Sequence, residues 1–178
     1  MHATDSFDIR PARATDRAPV LALVPRLRAF GPPSLRPPDA LDAGERRTLD
    51  QFFDAPPDGA VLWVADAPHG ALVGAAYAER AIDYFTQEFH GHLGILVVAA
   101  EAEGRGVGRA LIAAVEAWAV GQGYRFVTLN VFATNARAAA VYERAGYRPD
   151  TVRYVKELWP LRGRASGRGN PPHQERDG

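Results

Sequence analysis

A glycine-rich turn near the middle of the chain carries the strongest chemical signal in the sequence. It reads Glu103-Gly104-Arg105-Gly106-Val107-Gly108-Arg109 and lies between an apolar strand pattern over residues 92–98 and a helical pattern over residues 106–121. Glycines let a ligand approach the main chain closely, and the unpaired N–H groups of a helix's first turn attract an anion. Arg105 and Arg109 add positive charge suited to phosphate. The turn therefore predicts a phosphate or pyrophosphate site.

The spacing of the glycines separates three kinds of phosphate loop. A Walker loop requires Gly-x-x-x-x-Gly-Lys-Ser/Thr, and the turn contains no lysine. A dinucleotide fingerprint counted from Gly104 and Gly106 requires glycine or alanine where Arg109 stands. The spacing therefore argues against a Walker loop and against a dinucleotide-binding turn. It favours a third kind of phosphate-binding turn that follows neither consensus. A turn that merely reverses the chain is the alternative without a ligand.

The elements around this turn predict an α/β domain with a mixed central β-sheet and helices on both faces. Apolar and alternating runs indicate strands near residues 7–10, 61–65, 71–77, 92–98, 125–131 and 151–158. The sequence indicates helices near residues 15–30, 43–53, 106–121 and 135–145, and the third of them has apolar residues at three- and four-residue spacing. Pro25 should kink or split the first helix, and the proline-rich segment 31–38 must be a loop. We expect the domain over residues 1–160 and a disordered tail over 161–178.

Composition excludes several classes of function. The 178 residues include 21 basic and 21 acidic side chains, a balance that argues against a nucleic acid or membrane partner. The chain has no cysteine, so a thiolate nucleophile, a disulfide and a Cys-based metal site are excluded. The first ten residues lack the pattern of a signal peptide, and no apolar run approaches the ~20 residues that span a bilayer. We therefore expect a cytoplasmic protein.

Residues 96–111 resemble the acetyl-CoA-binding motif of the GNAT superfamily of N-acetyltransferases, whose consensus is Gln/Arg-x-x-Gly-x-Gly/Ala. That consensus falls on Glu103, Gly106 and Gly108. Glu103 stands where the family usually has glutamine or arginine, and a carboxylate close to a pyrophosphate is unfavourable. We expect its side chain to point away from the ligand, with the two arginines of the turn compensating.

The resemblance implies a GNAT-like single domain and an acyltransferase that moves an acetyl group from acetyl-CoA to a primary amine by direct transfer in a ternary complex. It covers residues 6–158 in element order and is specific over residues 92–148, which include the family's next strand and helix. The implied acceptor is a small-molecule or peptide amine, no metal is implied, and a homodimer is common in the family. A non-catalytic CoA-binding or regulatory module of the same fold is the alternative.

The resemblance also assigns residues to the cofactor. It places pantetheine against the main chain of Leu96, Val97 and Val98, and the pyrophosphate against the turn from Glu103 to Arg109. Asn135, which begins the helix after the next strand, would contact the cofactor arm. Asn135 is also a good helix N-cap, and the two roles are compatible.

The resemblance implies two hydrogen-bond donors, one for the departing CoA thiolate and one for the oxyanion. Tyr142 matches the position that commonly protonates the CoA thiolate, and its structural alternative is a core tyrosine near Tyr147. The main-chain N–H of Val98 is the implied donor to the oxyanion that forms during transfer.

The general base is assigned to His92, which aligns with a position where some family members carry a glutamate. A neutral histidine is an effective base near pH 7. The alternatives are a histidine at a strand edge and a water relay through Glu88, His90 or Asp83. The pair His90-Gly91-His92 has no convincing carboxylate partner, so it is weak evidence for a metal.

The acceptor side has three candidate elements. Residues 79–91 lack clear periodicity but are acidic and aromatic, and Tyr84 and Glu88 among them suit a cationic amine, although a solvated loop is the alternative. Phe30 directly precedes the proline-rich loop 31–38, which corresponds to a substrate gate in the family. Asn130, at the end of the strand near residues 125–131, completes the set.

Overall fold

The computed structural model describes residues 7–29 and 35–158. The chain divides into two compact units, Met1–Arg148 and Pro149–Gly178. Phe30, residues 31–34 of the proline-rich loop and the predicted tail 161–178 lie outside the described residues, and the predicted domain limit at residue 160 stays a prediction. Within the described part of the chain, no helix is both long and apolar enough to cross a membrane.

The first unit contains a mixed sheet, as the sequence predicts, and this sheet has five strands. Its strands follow chain order across the sheet, with antiparallel pairing from the first to the fourth and parallel pairing between the last two. They are β1 (Asp8–Pro11), β2 (Ala60–Asp66), β3 (Leu72–Ile82), β4 (Phe89–Val98) and β5 (Val127–Leu129).

Helices cover both faces of this sheet, which confirms the predicted fold class. They are α1 (Arg17–Leu23), α2 (Pro38–Asp54), α3 (Val107–Gly121) and α4 (Ala136–Arg144). Buried side chains of α1, α2 and the turn between them pack against one face of β2, β3 and β4, among them Val20, Leu49, Val64, Tyr77 and Val97. Buried side chains of α3 pack against the other face, and partly buried residues of α4 join them.

Proline ends the first helix early, as predicted. α1 stops at Leu23 and continues as a 3-10 turn over Val24–Arg28, because Pro25 has no N–H for the helical ladder. The last strand prediction was wrong. Residues 151–158 contain no regular helix or strand, and β5 keeps only three of the seven residues predicted for it.

β3 and β4 are longer than the apolar pattern indicates. They continue through residues 79–91 as a hairpin that pairs Glu79 with His92 and Ile82 with Phe89. The Asp83 carboxylate closes the turn by accepting hydrogen bonds from the Thr86 N–H at 2.8 Å and the Phe85 N–H at 3.1 Å. This side-chain closure explains why a polar stretch without periodicity is nevertheless ordered.

β4 combines two irregularities. Tyr77 pairs with Ile95 and Ala78 pairs with Leu93, so Gly94 is an extra residue without a partner on β3. β5 pairs with β4 only at Gly91, His92 and Leu93. Among the described residues the pairing of β4 with β5 ends at Leu93, so the β4 edge over residues 95–98 has no strand partner on that side, and we call this opening the gap.

Candidate active site

The glycine turn forms the N-terminus of α3. Gly104 and Gly106 have φ values of +73° and +90°, which only glycine adopts readily, and Gly106 is the N-cap residue. The first helical bond runs from the Ala110 N–H to the Gly106 carbonyl at 3.0 Å, so the N–H groups of residues 106–109 remain available. They border a depression of about 480 Å³ lined by Gly104, Arg105, Gly106, Arg109, Ala110 and Ala113.

The space at the glycines fits a phosphate ligand. Among the described residues, a Cβ added at Gly104 or Gly106 would meet no atom within 4 Å, and one added at Gly108 would meet only Val98 Cγ2, at 3.8 Å. In the part of the chain that the structure describes, no group fills the positions that a side chain would occupy. Oxygens of a pyrophosphate could approach the main chain there and meet the positive end of the helix dipole.

Glu103 is neutralised by two arginines that the sequence analysis did not identify. Its carboxylate pairs with Arg137 at 2.7 Å and with Arg26. The Arg137 and then the Arg26 guanidinium hold the pKa of the Glu103 carboxyl below its ordinary value. Arg105, one of the two arginines expected to compensate, instead lies over the Phe7 ring at 5.3 Å.

These ion pairs connect three parts of the site. Glu103 precedes α3, Arg137 lies in the first turn of α4, and Arg26 lies in the 3-10 turn that follows α1. Glu103 therefore holds the starts of the two helices together. Arg137 was detectable in principle, because it lies two residues after Asn135, whereas no local pattern indicates Arg26.

The open edge of β4 directs main-chain groups into the gap beside β5. The Ala99 N–H donates to the Val73 carbonyl at 2.8 Å, so it points towards β3. Successive N–H groups in a strand point to opposite sides, and the Val98 N–H therefore points into the gap. The Leu96 N–H lies two residues earlier and points the same way. A carbonyl in the gap could accept hydrogen bonds from this edge.

Asn135 and Tyr142 lie on α4. The Asn135 Oδ1 accepts a hydrogen bond from the Ala138 N–H at 3.0 Å, so Asn135 is the N-cap and its side-chain N–H groups remain as donors. Tyr142 is half-buried against the α3 side of the sheet, with its ring 6.1 Å from that of Tyr147. Burial raises the pKa of the Tyr142 phenol, which therefore stays protonated at neutral pH.

His92 belongs to a polar cluster on the α1–α2 side of the sheet. Its Nδ1 lies 2.8 Å from Thr128 Oγ1, and its cross-strand neighbour Glu79 accepts a hydrogen bond from the Tyr77 hydroxyl at 2.7 Å. Burial lowers the pKa of His92 from 6.5, and the Glu79 carboxylate opposes that shift. The ring is therefore neutral at pH 7 and able to accept a proton.

His90 joins the same cluster. Its Nε2 lies 3.2 Å from Thr128 Oγ1, and its ring stacks on Phe126 at 4.8 Å. Among the residues that the structure describes, no group of three or more His, Cys, Asp or Glu could hold a metal ion. Thr128 was missed by sequence reasoning, because a single threonine in an apolar strand carries no distinguishing pattern.

The predicted acceptor residues are more dispersed. Tyr84 lies at the tip of the β3–β4 hairpin and is 82% exposed, and Glu88 Oε2 lies 3.4 Å from Arg125 Nη1. The Cα atoms of Glu88 and His92 are roughly 13 Å apart at the usual rise of an extended strand. Asn130 is exposed directly after β5, at the mouth of the gap.

The two candidate proton-transfer groups approach from opposite faces. His92 shares a face with Tyr77, which packs against the α1–α2 side, whereas Tyr142 packs against the core on the α3 side. The β4 edge with the Val98 N–H lies between the two faces. A base on one side and an acid on the other are suited to a transfer reaction between two substrates that meet at the gap.

Comparison with known families agrees with this geometry. Residues 28–147 match the model of the acetyltransferase (GNAT) family. The chain belongs to that family, and it is an acyltransferase.

One curated protein is similar to the chain in sequence, and solved structures are similar to it in fold. The chain is 35% identical over 127 residues to an aminoglycoside N(6')-acetyltransferase type 1 of Stenotrophomonas maltophilia, covering 70% of this chain and 80% of that protein. A putative acetyl transferase from Pyrococcus furiosus has a similar fold, with a TM-score of 0.70, 18% identity and coverage of 86% and 100% of the two chains. The aminoglycoside acetyltransferase AAC(6')-Iy, solved with the bisubstrate analogue CoA-S-monomethyl-acetylneamine, is 25% identical at a TM-score of 0.63, with coverage of 86% and 99%.

Proposed function

We propose that this protein transfers an acetyl group from acetyl-CoA to a primary amine on a small cationic molecule, by direct transfer in a ternary complex. The observation that carries the proposal is the gap between β4 and β5, which opens beside the N-terminus of α3. A pyrophosphate at the helix and a pantetheine arm along the β4 edge would bring a thioester to the Val98 N–H. Asn135 would donate to the arm from the opposite side.

Each chemical step has a candidate group. Acetyl-CoA supplies an acyl carbon activated by its thioester. His92 accepts the proton that the ammonium must lose, the Val98 N–H donates to the carbonyl oxygen as negative charge develops on it, and the Tyr142 hydroxyl donates to the departing sulfur. Since a thiol titrates near 8.5 and the Tyr142 pKa is raised, the phenol is protonated whenever the thiolate forms.

His92 acts through water. Leu96 lies four positions and Val98 six positions beyond it on β4, with the bulge residue Gly94 in between. At about 3.3 Å per residue the Cα atoms of His92 and Leu96 are roughly 13 Å apart, which exceeds the reach of an imidazole. One or two ordered waters would complete the path from the amine to His92 Nε2. Glu79 would stabilise the imidazolium that results.

The acceptor we propose is an aminoglycoside or a related polyamine sugar. The S. maltophilia relative carries an aminoglycoside N(6')-acetyltransferase name, and the AAC(6')-Iy structure holds an acetylneamine analogue. Glu79, Glu88 and Asp83 along the β3–β4 hairpin supply negative charge, and Tyr84 supplies an exposed ring. A multi-ring cation could span the distance from the hairpin to the gap, with its reacting amine in the gap and connected to His92 through water.

The direct test is an acetyl-CoA turnover screen. Purified protein is incubated with acetyl-CoA and, separately, with an aminoglycoside, a linear polyamine, a free amino acid and a lysine peptide. Released CoA and the mass of the acetylated amine are measured. We expect turnover with the aminoglycoside above that with the peptide. Binding of acetyl-CoA without turnover on any amine would favour the non-catalytic module instead.

The ternary-complex mechanism needs its own measurement. The chain has no cysteine, so no acyl-cysteine can form during the reaction. Intact-protein mass spectrometry after incubation with acetyl-CoA alone should show unmodified protein, and initial rates at several concentrations of both substrates should give intersecting lines. Parallel lines with an acetylated protein would overturn direct transfer.

A further inference from the structure

His90 and Thr128 have no role in the steps above, although both contact the base cluster. Thr128 Oγ1 lies 2.8 Å from His92 Nδ1 and 3.2 Å from His90 Nε2, so one hydroxyl bridges two imidazoles. His90 is only 6% exposed. Its Nδ1 is buried and has no hydrogen-bond partner among the described residues. A polar ring buried this far requires a reason beyond packing.

The chemistry of one hydroxyl couples the two rings. A threonine hydroxyl has a single proton, so it can donate to only one of two neutral imidazole nitrogens and must accept from the other. If Thr128 donates to His90 Nε2, then His92 carries its proton on Nδ1 and its Nε2 has a free lone pair. If Thr128 donates to His92 Nδ1 instead, then His92 Nε2 is protonated and cannot act as a base. The tautomers of the two rings are therefore linked.

We propose that His90 is a positioning residue that acts through Thr128 to hold His92 in the tautomer with Nδ1 protonated and Nε2 free. The proposal rests on the proposed function, in which His92 Nε2 accepts the proton of the amine. His90 Nε2 is the acceptor at the end of the chain, and its own proton lies on the buried Nδ1. When His92 takes up a proton it donates from Nδ1 as before, so the hydrogen bonds of the cluster need not reorganise.

The surroundings favour this division of roles. Glu79 lies directly across from His92 on β3 and favours positive charge on the His92 ring, and His90 is the more deeply buried of the two rings. The Asp83 carboxylate in the hairpin turn also interacts electrostatically with His90. Phe126 fixes the plane of the His90 ring by stacking, which keeps Nε2 directed at Thr128. The strands β3, β4 and β5 each contribute to the arrangement.

Nitrogen NMR of the histidine rings tests the tautomer without any substrate. In the full-length protein at pH 8, we expect His92 to have a protonated Nδ1 and a bare Nε2. Thr128→Val, which is nearly isosteric but lacks the hydroxyl, should shift His92 towards the Nε2-protonated form, and Thr128→Ser should restore the original form. A protonated Nε2 in the unsubstituted protein, or no change in Thr128→Val, would overturn the proposal.

Kinetics test the link to the base. Thr128→Val should lower kcat by about 10- to 100-fold, the range known for partners that orient metal-bound histidines, while the KM for acetyl-CoA stays unchanged. Thr128→Ser should recover most of the rate, and Thr48→Val on α2 is the matched control. His90→Phe, which keeps a ring on Phe126, should resemble Thr128→Val.

A double-mutant cycle separates this proposal from the proposed function. If Thr128 acts through His92, then Thr128→Val should add no further loss to a His92→Gln variant. An additive loss would show that Thr128 acts by another route and would overturn the positioning role. Full activity of His92→Gln alone would remove His92 as the base, whereas the NMR result would still decide whether the tautomers are coupled.

Discussion

The glycine turn before α3 and the histidine cluster of β4 present polar groups by different means. In the turn, main-chain N–H groups are displayed at the surface, and their directions depend on two glycines with positive φ. In the cluster, buried and half-buried side chains of β4 and β5 meet at Thr128, and their positions depend on strand register. The first arrangement is encoded by neighbouring residues, and the second by residues up to 38 positions apart. Substitutions in the turn should therefore change the affinity for acetyl-CoA, whereas substitutions in the cluster should change kcat.

Replacing His92 should give the largest effect. Since general bases contribute about 10²- to 10⁴-fold, His92→Gln should lower kcat by at least about 100-fold. The acetyl-CoA Kd, measured by calorimetry, should stay unchanged. His69→Gln, in the exposed turn between β2 and β3, is the matched control.

The pH profile sharpens this result. Because the pKa of His92 is lowered from 6.5, its neutral form persists to more acidic pH than in a free histidine. The kcat/KM of the unsubstituted protein should decline below that lowered pKa, as His92 becomes protonated, and His92→Gln should lack this decline. The same acid limb in both proteins would assign it to another group.

Tyr142→Phe extends the comparison to the opposite face of the sheet. Removing the hydroxyl should lower kcat by about 10- to 100-fold, since a protonated donor near the sulfur is lost while the ring still packs near Tyr147. The Kd for acetyl-CoA should change by less than about two-fold, because the ring of residue 142 keeps its packing. Tyr154→Phe is the control for a tyrosine that is 91% exposed. An unchanged kcat would remove Tyr142 from the mechanism.

A pair of glycine substitutions breaks the turn in two distinguishable ways. Gly106→Ala should destabilise the protein by roughly 1–2 kcal/mol, because alanine is strained at a φ of +90°. Gly108→Ala lies inside α3 and should stabilise by up to about 1 kcal/mol, yet its methyl group would occupy the space left for phosphate. Thermal unfolding and acetyl-CoA titration should therefore change in opposite directions for Gly108→Ala. Unaltered affinity would place the ligand elsewhere.

Glu103→Gln should give the smallest effect and restore a residue found in the family consensus. Losing the carboxylate removes one negative charge beside the turn, so acetyl-CoA should bind roughly two- to five-fold more tightly at low salt. The ion pairs are partly exposed, and each should contribute no more than about 1 kcal/mol to stability. Glu101→Gln controls for the charge change.

The same variant predicts a difference in acid stability. Because the pKa of Glu103 is lowered from 4.5 in the folded protein, its contribution is present above pH 4.5 and is lost as the pH falls through the lower value. Denaturant unfolding at pH 7 and pH 3 should therefore show a smaller pH dependence for Glu103→Gln. An equal pH dependence in both proteins would mean that the ion pairs do not contribute to folding.

The parts that the sequence predicted are those with local causes. The glycine turn, the Asn135 cap and the break at Pro25 each arise from the conformational limits of one or two residues. The mixed sheet followed from the order of apolar runs. The strand expected at residues 151–158 failed, because an alternating pattern shows that a segment could pair but does not identify a partner.

The missed residues depend on contacts between distant elements. Thr128 approaches the two histidines only because β5 pairs with β4 at Gly91, His92 and Leu93, and Arg26 reaches Glu103 across 77 positions in the chain. Periodicity contains no information on such pairings. The hairpin over residues 79–91 was obscured for a related reason, since Asp83 orders its turn through side-chain hydrogen bonds that an apolar pattern does not reveal.

The single extra residue at Gly94 gives β4 two halves that are out of phase. Counted by twos from His92, the side chains of Leu96 and Val98 would share its face, yet they pack with the opposite core. Deleting Gly94 would restore a continuous alternation, and the side chains of one half of the strand would then move to the opposite face of the sheet. The number of residues between His92 and the glycine turn consequently matters more than their identity, so this segment should tolerate substitutions far better than insertions or deletions. The length of β4 therefore fixes which face of the sheet the histidine cluster occupies relative to the β4 edge that leads to the glycine turn.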